Sequence, residues 1–131
     1  MLTVPDELKA FVEYTGVDLI APAVGNLHGM MKHGNNPRQN IERIAELREA
    51  GGVPMVLHGG SGITDEDFVA AIQAGIGMVH INTEIRKAYR DGIAAYIAEN
   101  PDEIAPYRYV KAGRDALQGV VEERMRLFNG K

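Results

Sequence analysis

The chain has 131 residues, of which 45% are hydrophobic, and this is enough for about one domain with a buried core. Its 14 basic and 18 acidic residues give a net charge of -4, which argues against bulk binding of nucleic acid. Because the sequence contains no cysteine, disulfides and thiolate metal sites are excluded, and any metal ion must take nitrogen and oxygen ligands.

Neither a membrane span nor a signal peptide is predicted. No apolar run approaches the roughly 18 residues that a membrane-spanning helix needs. The start of the chain has no basic region ahead of an apolar stretch, which a secretory signal would require. We therefore expect a cytoplasmic protein that acts away from membranes.

Helix and strand patterns alternate along the chain. The first half predicts a helix from a cap at Thr3 or Asp6 to Glu13, ended by Gly16, then a strand over 17–24, a loop over 25–37 and a helix over 38–50. The second half predicts a strand over 53–57, a helix from Thr64 to Gly75, a strand over 78–81, a helix from Asn82 or Thr83 to about Ile97 and a final helix over about 109–128. The order predicts an α/β fold whose parallel strands are joined by right-handed crossovers.

The number of strands is too small for a closed structure. Strands that begin near residues 17, 53 and 77 recur at a spacing typical of a (β/α) barrel. Three strands cannot close a barrel of eight, and an open parallel sheet of three leaves both edges bare. We therefore expect this chain to associate, either with copies of itself or with another polypeptide.

Two histidines that follow predicted strands are the main candidates for chemistry. His28 comes shortly after the first strand, and His58 directly follows the second. If these strands are parallel neighbours, both imidazoles lie at the same sheet edge, one strand spacing of about 4.8 Å apart. That arrangement suits two ligands of one zinc ion, although each could also be an ordinary loop histidine.

Other polar residues near the predicted strand ends have both a functional and a structural interpretation. The Gly59-Gly60-Ser61-Gly62 turn can aim backbone amides at a phosphate, or it can be a plain turn between strand and helix. Asn82 and Thr83 could close such a cradle or simply cap a helix. Lys32 could supply a positive charge or be a solvated surface residue. His80 alternates with Asn82, so it could face a barrel interior or be structural.

Three motifs carry a resemblance to a known family. They are HGGSGITDE over residues 58–66, VGNLHG over 24–29 and INTE over 81–84. In this order and at this spacing, the chain resembles the class II fructose-bisphosphate aldolases and their tagatose-bisphosphate relatives. The resemblance covers essentially the whole chain but only the C-terminal half of the family's length.

The resemblance implies a fold and a set of site residues. It implies that residues 1–131 are one domain, the C-terminal part of a TIM (β/α)8 barrel with about three βα units and the C-terminal helices. It implies that zinc is bound by His28 and His58. The phosphate of dihydroxyacetone phosphate would be held by Gly29, Lys32, Gly59, Ser61, Asn82 and Thr83. Lys111 falls where relatives often place a basic residue for the other phosphate.

The implied activity is that of a lyase of carbohydrate metabolism such as glycolysis, which reversibly cleaves a ketose bisphosphate. Two departures bear on this activity. His80 stands where many relatives have an asparagine that faces the enediolate. The family's Asp-His pair, which supplies a third zinc ligand and the proton-transferring carboxylate, has no counterpart here, because no Asp-His dipeptide occurs.

Two interpretations of different classes remain open. In the first, the chain is a piece of an aldolase that needs the other half for catalysis. In the second, it is a truncated, non-catalytic relative that binds a sugar phosphate or a protein partner. The preference between fructose and tagatose bisphosphate also stays open.

Overall fold

The computed structural model describes residues 1–27, 29, 31 and 36–130. They form two compact units, Met1–Ile81 and Asn82–Lys131. The first unit contains both helices and strands, and the second contains two helices. His28, Lys32 and His33 lie outside the described residues.

The first unit alternates helices with two parallel strands. Its elements are α1 (Pro5–Thr15), α2 (Ile41–Gly51), β1 (Met55–Leu57), α3 (Asp65–Ala74) and β2 (Ile76–Val79). β1 pairs with β2 in parallel, with Met55 opposite Ile76 and Leu57 opposite Val79. The α/β pattern and the parallel pairing are confirmed. β2 is shifted by two residues toward the N-terminus, to 76–79 from the predicted 78–81.

The glycine stops of α1, α2 and α3 and the cap of α3 follow the predicted chemistry. The Thr64 side chain accepts a hydrogen bond from the Asp67 backbone N–H and caps α3. α1 ends at Gly16, whose φ of 65° is left-handed and favours glycine. The predicted cap of α1 at Thr3 or Asp6 is wrong: the cap position is Val4, which makes no side-chain bond. Proline at the first helical position loses no hydrogen bond there, so Pro5 begins the helix.

The predicted strand over 17–24 is wrong as a continuous strand. Only Ile20 forms a bridge to β1, an isolated parallel pairing with Met55. Beyond it, Ala23 exchanges two hydrogen bonds with Thr3, at 2.8 and 2.9 Å, and the Asn40 N–H donates to the Val24 carbonyl. Because these partners take up the backbone groups that a ladder would need, the segment leaves β1 after one bridge.

The core of the first unit is formed by apolar side chains of its helices and β1, together with Val24. The largest fully buried side chains are Leu8, Val24, Ile44, Leu47, Met55, Leu57 and Phe68. Burial of each stabilises the fold by about 1.5–3 kcal/mol, less for the smaller side chains. Of the apolar face predicted for α1, Leu8 is buried but Phe11 is 51% exposed.

The second unit is a pair of antiparallel helices. They are α4 (Thr83–Glu99) and α5 (Pro106–Phe128), so α5 begins three residues before the predicted start. Glu84 near the start of α4 accepts a hydrogen bond of 2.8 Å from Arg124 near the end of α5. None of the helices in the described part of the chain is long and apolar enough to cross a membrane.

Glycine allows the two helices of the second unit to approach closely. A Cβ atom added at Gly113 would lie 2.7 Å from Ile93 Cγ1 and 2.8 Å from the Tyr89 carbonyl oxygen. A Cβ added at Gly92 would lie 2.7 Å from the Cβ of Ala116. Because real Cβ contacts are longer than this, the helices could not keep their spacing with a larger residue at either position.

We therefore expect Gly113→Ala to destabilise the second unit by about 1–3 kcal/mol, the usual cost of overpacking. The matched control is Gly119→Ala on the same helix, where nothing lies within 4 Å of the added Cβ. That variant should stabilise α5 by about 0.5–1 kcal/mol, because alanine is the better helix former. Urea denaturation measures both effects, and a shift of the same sign and size in the two variants would contradict the close packing.

An ion pair between the exposed Arg38 side chain and the buried Asp67 carboxylate ties the segment before α2 to the start of α3. Asp67 is 2% exposed and accepts bonds of 2.8 and 2.9 Å from Arg38 Nε and of 3.1 Å from the Gln39 N–H. Burial alone would raise the pKa of the Asp67 carboxyl. The hydrogen bonds from Arg38 and Gln39, with the charge of Arg38, outweigh burial and lower the pKa below its ordinary value.

Asp67→Asn should lower the free energy of unfolding at neutral pH by about 1–2 kcal/mol, because the Arg38 guanidinium and the buried Gln39 N–H lose a charged acceptor. With the pKa lowered in the folded chain, the carboxylate stabilises the fold above its unfolded-state pKa of about 3.9. This contribution is lost as the pH falls through the lower folded-state pKa. The difference between wild type and variant should therefore be constant above about pH 5 and shrink below about pH 4.

Glu66→Gln is the control for this substitution, since it removes a charge from the same helical turn at an exposed position. It should cost only about 0.3–1 kcal/mol through the helix dipole. Denaturation at a series of pH values checks the prediction. Equal losses in the two variants, or a loss in Asp67→Asn that does not decrease as the pH falls below about 4, would contradict the assigned role of the carboxylate.

Candidate metal and phosphate site

The parallel pairing of β1 and β2 continues past both strand ends and brings two histidines together. His58 directly follows β1, and His80 directly follows β2. The His80 N–H donates to the Leu57 carbonyl at 2.9 Å, and the Gly60 N–H donates to the His80 carbonyl at 3.1 Å. As a result the His58 and His80 rings lie 4.6 Å apart between centroids, edge to face at 85°.

Of the two histidines predicted to bind zinc, the structure describes only His58. His58 lies at the predicted carboxyl end of a parallel strand, while His28 lies outside the described residues. Ligation of one metal ion by both therefore stays a prediction. Within the described ranges, no group of three or more histidine, cysteine, aspartate or glutamate side chains could hold a metal ion.

The surroundings of His58 fit a metal ligand. Its side chain is half-buried and borders an open cleft whose other lining residues are Ala21, Pro22, Ala23 and Asn26. The Asn26 side-chain amide donates to the His58 carbonyl at 2.7 Å, and its oxygen accepts from the Val24 N–H. The imidazole is thus carried by a fixed backbone at the edge of an open space, as a metal with an open coordination position requires.

The glycine turn that follows His58 contains two glycines in the left-handed region. Gly59 and Gly62 have φ values of 67° and 88°, which favour glycine. The N–H groups of these two residues make no hydrogen bond to a described residue. The N–H of Gly60 is committed to His80, so it is not available to a ligand. Ser61 lies between them and is 2% exposed.

The same turn is linked to the loop that contains Gly29. The side-chain amide of Asn36 donates to the carbonyl oxygens of Gly29 and Ser61, at 2.9 Å each. Its oxygen accepts from the Met31 N–H at 3.0 Å. Two of the predicted phosphate-binding residues, Gly29 and Ser61, are thus joined through one side chain that sequence reasoning did not single out.

The remaining predicted site residues of the described chain belong to the second unit. Asn82 occupies the cap position of α4, and its side chain makes no capping hydrogen bond. Thr83 is the first residue of that helix. Lys111 donates to Asp115 at 2.6 Å, and Lys111 and Arg114 together lower the pKa of the Asp115 carboxyl. A second phosphate at Lys111 would therefore compete with an existing exposed ion pair.

The sequence identifies most of these site residues, but it does not show which of them are in contact. The His58–His80 contact follows from the strand register, which a single sequence does not give. Asn26 lies inside the VGNLHG motif, so its position was noted but its bond to His58 was not. For Asn36 the sequence offered only a polar residue in a long loop.

Comparison with known proteins relates this geometry to one family. The family described as fructose-bisphosphate aldolase class-II matches residues 1–131. The solved structure of the YdjI aldolase from Escherichia coli K12 is 37% identical, with a TM-score of 0.83 over 97% of this chain and 46% of that chain. A fructose-bisphosphate aldolase from Campylobacter jejuni shares the fold, with 22% identity and a TM-score of 0.83, over 98% of this chain and 45% of that chain.

The chain thus spans somewhat less than half the length of these solved structures. Its mixed helices and parallel strands are consistent with part of a TIM barrel. Because the family match extends over the full sequence, the chain belongs to the class II fructose-bisphosphate aldolase family.

Proposed function

We propose that this chain is the C-terminal, zinc- and phosphate-binding half of a class II ketose-bisphosphate aldolase. In this proposal residues 1–131 form one domain segment with about three βα units of a (β/α)8 barrel, and the protein acts in the cytoplasm. The supporting observation is the order at the end of β1, where His58 and then a positive-φ glycine turn follow a parallel strand. In barrels of this kind the chemistry lies at the carboxyl ends of the strands.

The proposed reaction is the reversible cleavage of a ketose bisphosphate to dihydroxyacetone phosphate and an aldehyde phosphate. His28 and His58 would hold Zn²⁺, which when bound supplies a Lewis acid for the substrate's ketone. His80, edge to face with His58, would donate a hydrogen bond to the oxygen on which negative charge develops. This role is the one that an asparagine has in many relatives.

The phosphate of the donor triose is assigned to backbone amides and short polar side chains. Those residues are Gly29, Lys32, Gly59, Ser61, Asn82 and Thr83, and Lys111 is assigned to the second phosphate. The open N–H of Gly59 supports the assignment to the glycine turn. Holding the triose by its phosphate converts an association step into positioning, which can supply several kcal/mol of the barrier.

We assign proton transfer to the other half of the barrel. The sequence has no Asp-His dipeptide to provide the family's carboxylate. The chain would then work with a polypeptide that supplies the remaining strands, or within a homo-oligomer that covers the bare strand edges. The breaking carbon–carbon bond would lie between the groups held by this chain and the acid/base of that partner.

A second candidate function is binding of a phosphorylated sugar or a protein partner without catalysis. The positive-φ glycine turn after β1 would serve sugar-phosphate binding equally well. A tagatose-bisphosphate aldolase is the variant of the first function that differs in one hydroxyl configuration. Assays with both bisphosphates and with dihydroxyacetone phosphate alone distinguish these functions.

His58→Ala tests the metal assignment. Removing a ligand should lower zinc affinity by more than the roughly 10- to 100-fold that loss of an outer partner causes. The control is His80→Asn, which keeps His58 and should retain zinc. Metal analysis after dialysis against a weak chelator gives the zinc content of each variant. Zinc content unaffected by His58→Ala would exclude this histidine as a ligand.

Aldol cleavage of fructose 1,6-bisphosphate in the presence of zinc tests whether proton transfer depends on the other half of the barrel. The purified chain alone should show no cleavage, because it lacks the proton-transferring carboxylate. Mixing it with the N-terminal half of the Escherichia coli YdjI aldolase should restore zinc-dependent turnover if the halves assemble. Cleavage by the chain alone would refute the absence of the base, and triose phosphate binding without cleavage in the mixture would favour the non-catalytic function.

A further inference from the structure

We propose that Asn36 is a positioning residue that fixes the Gly29 loop against the glycine turn at Ser61. The phosphate-binding consequence of this proposal rests on the proposed function, whereas the link between the two loops stands on geometry alone. Its three hydrogen bonds go to Gly29, Met31 and Ser61 and none goes to His58, so its role is separable from metal ligation by that histidine.

The hydrogen bonds of Asn36 use its amide fully in the donor direction. The NH2 group has two N–H donors, and each has a carbonyl acceptor, Gly29 on one loop and Ser61 on the other. The side-chain oxygen accepts from the Met31 N–H. Exchanging the amide oxygen and nitrogen would place an oxygen against two carbonyls and a nitrogen against an N–H, so the three partners fix the orientation of the group.

Packing at Gly62 provides a second observation that is independent of the hydrogen bonds. A Cβ atom added at Gly62 would lie 2.7 Å from Asn36 Nδ2, and the φ of Gly62 is +88°. The turn therefore has a glycine where the amide of Asn36 lies against it. Asn36 itself is half-buried, so this contact is partly shielded from water.

The consequence is preorganisation of two residues assigned to the same phosphate. Without the Asn36 link, Gly29 and Ser61 belong to separate loops that a ligand would have to order when it binds. Ordering loops at the time of binding weakens affinity, whereas a link already present in the free protein avoids that cost. Asn36 thus acts on the ligand through the loops rather than by touching it.

Asn36→Asp is the sharpest test, because it keeps the shape and the acceptor for Met31 while replacing the NH2 donor by an oxygen that faces two carbonyls. The matched control is Asn40→Asp, which makes the same change of charge. Asn40 caps α2 through its side-chain oxygen, which accepts from the Arg43 N–H, and aspartate preserves that bond. If the aspartate at position 36 prevents folding, Asn36→Ser removes the links without adding a charge.

Hydrogen exchange of the 131-residue chain without ligand gives the first measurement. With two net hydrogen bonds lost, the hydrogen-bonded amides of the turn, Gly60 and Ile63, should exchange about tenfold faster in Asn36→Asp, while those of α1 and α2 keep their wild-type rates. Asn40→Asp should match wild type throughout. Unchanged exchange at Gly60 and Ile63, or acceleration equally spread over the whole first unit, would overturn the positioning role.

Titration with dihydroxyacetone phosphate gives the second measurement. Asn36→Asp should weaken its binding about tenfold and Asn40→Asp should leave it unchanged, if the loop link preorganises the site. Equal affinity of wild type and Asn36→Asp would overturn the consequence for phosphate. Failure of the wild type itself to bind would count against the proposed function, and the exchange measurement would still decide the structural role of Asn36.

Discussion

The site depends on the parallel register of β1 and β2, continued beyond the strands by two backbone hydrogen bonds. The bond from the His80 N–H to Leu57 and the bond from the Gly60 N–H to His80 extend the ladder into the following loops. They bring the two imidazoles into contact and set the start of the glycine turn. Backbone pairing at the carboxyl edge of the sheet therefore places His58, His80 and the glycine turn together.

A set of polar side chains then holds the long loop that follows the Ile20 bridge. Asn26 binds the backbone at His58, Asn36 binds the backbone at Ser61, and Arg38 binds the Asp67 carboxylate of α3. The first two links run to the segment between β1 and α3, and the third runs to the first turn of α3. The described residues of this loop are thus anchored by side chains, where a ladder is absent.

The sequence was sufficient to predict those features that depend on neighbouring residues. The ends of α1, α2 and α3 at Gly16, Gly52 and Gly75 follow from glycine after an apolar helical pattern, and the cap at Thr64 follows from its hydroxyl. These features need no knowledge of the rest of the fold. The strand predicted over 17–24 is wrong for the opposite reason. Its backbone carbonyls at Ala23 and Val24 bind Thr3 and Asn40, which are distant in sequence.

The candidate site could be predicted in its residue types but not in its contacts. His58 and the glycine turn were found from their place after a buried apolar run, and His80 from its alternation with Asn82. The 4.6 Å contact between the two rings needs the register of two strands, and the Asn36 link needs the path of a long loop. Both are long-range properties, so local propensity and periodicity carry no signal for them.

X-ray absorption at the zinc edge, on the chain loaded with one equivalent of Zn²⁺, tests the central claim most directly. We expect two imidazole ligands, His28 and His58, with zinc–nitrogen distances of about 2.0–2.1 Å. A coordination shell of oxygen atoms alone, or one with a single imidazole, would contradict a metal centre built at this edge of the sheet.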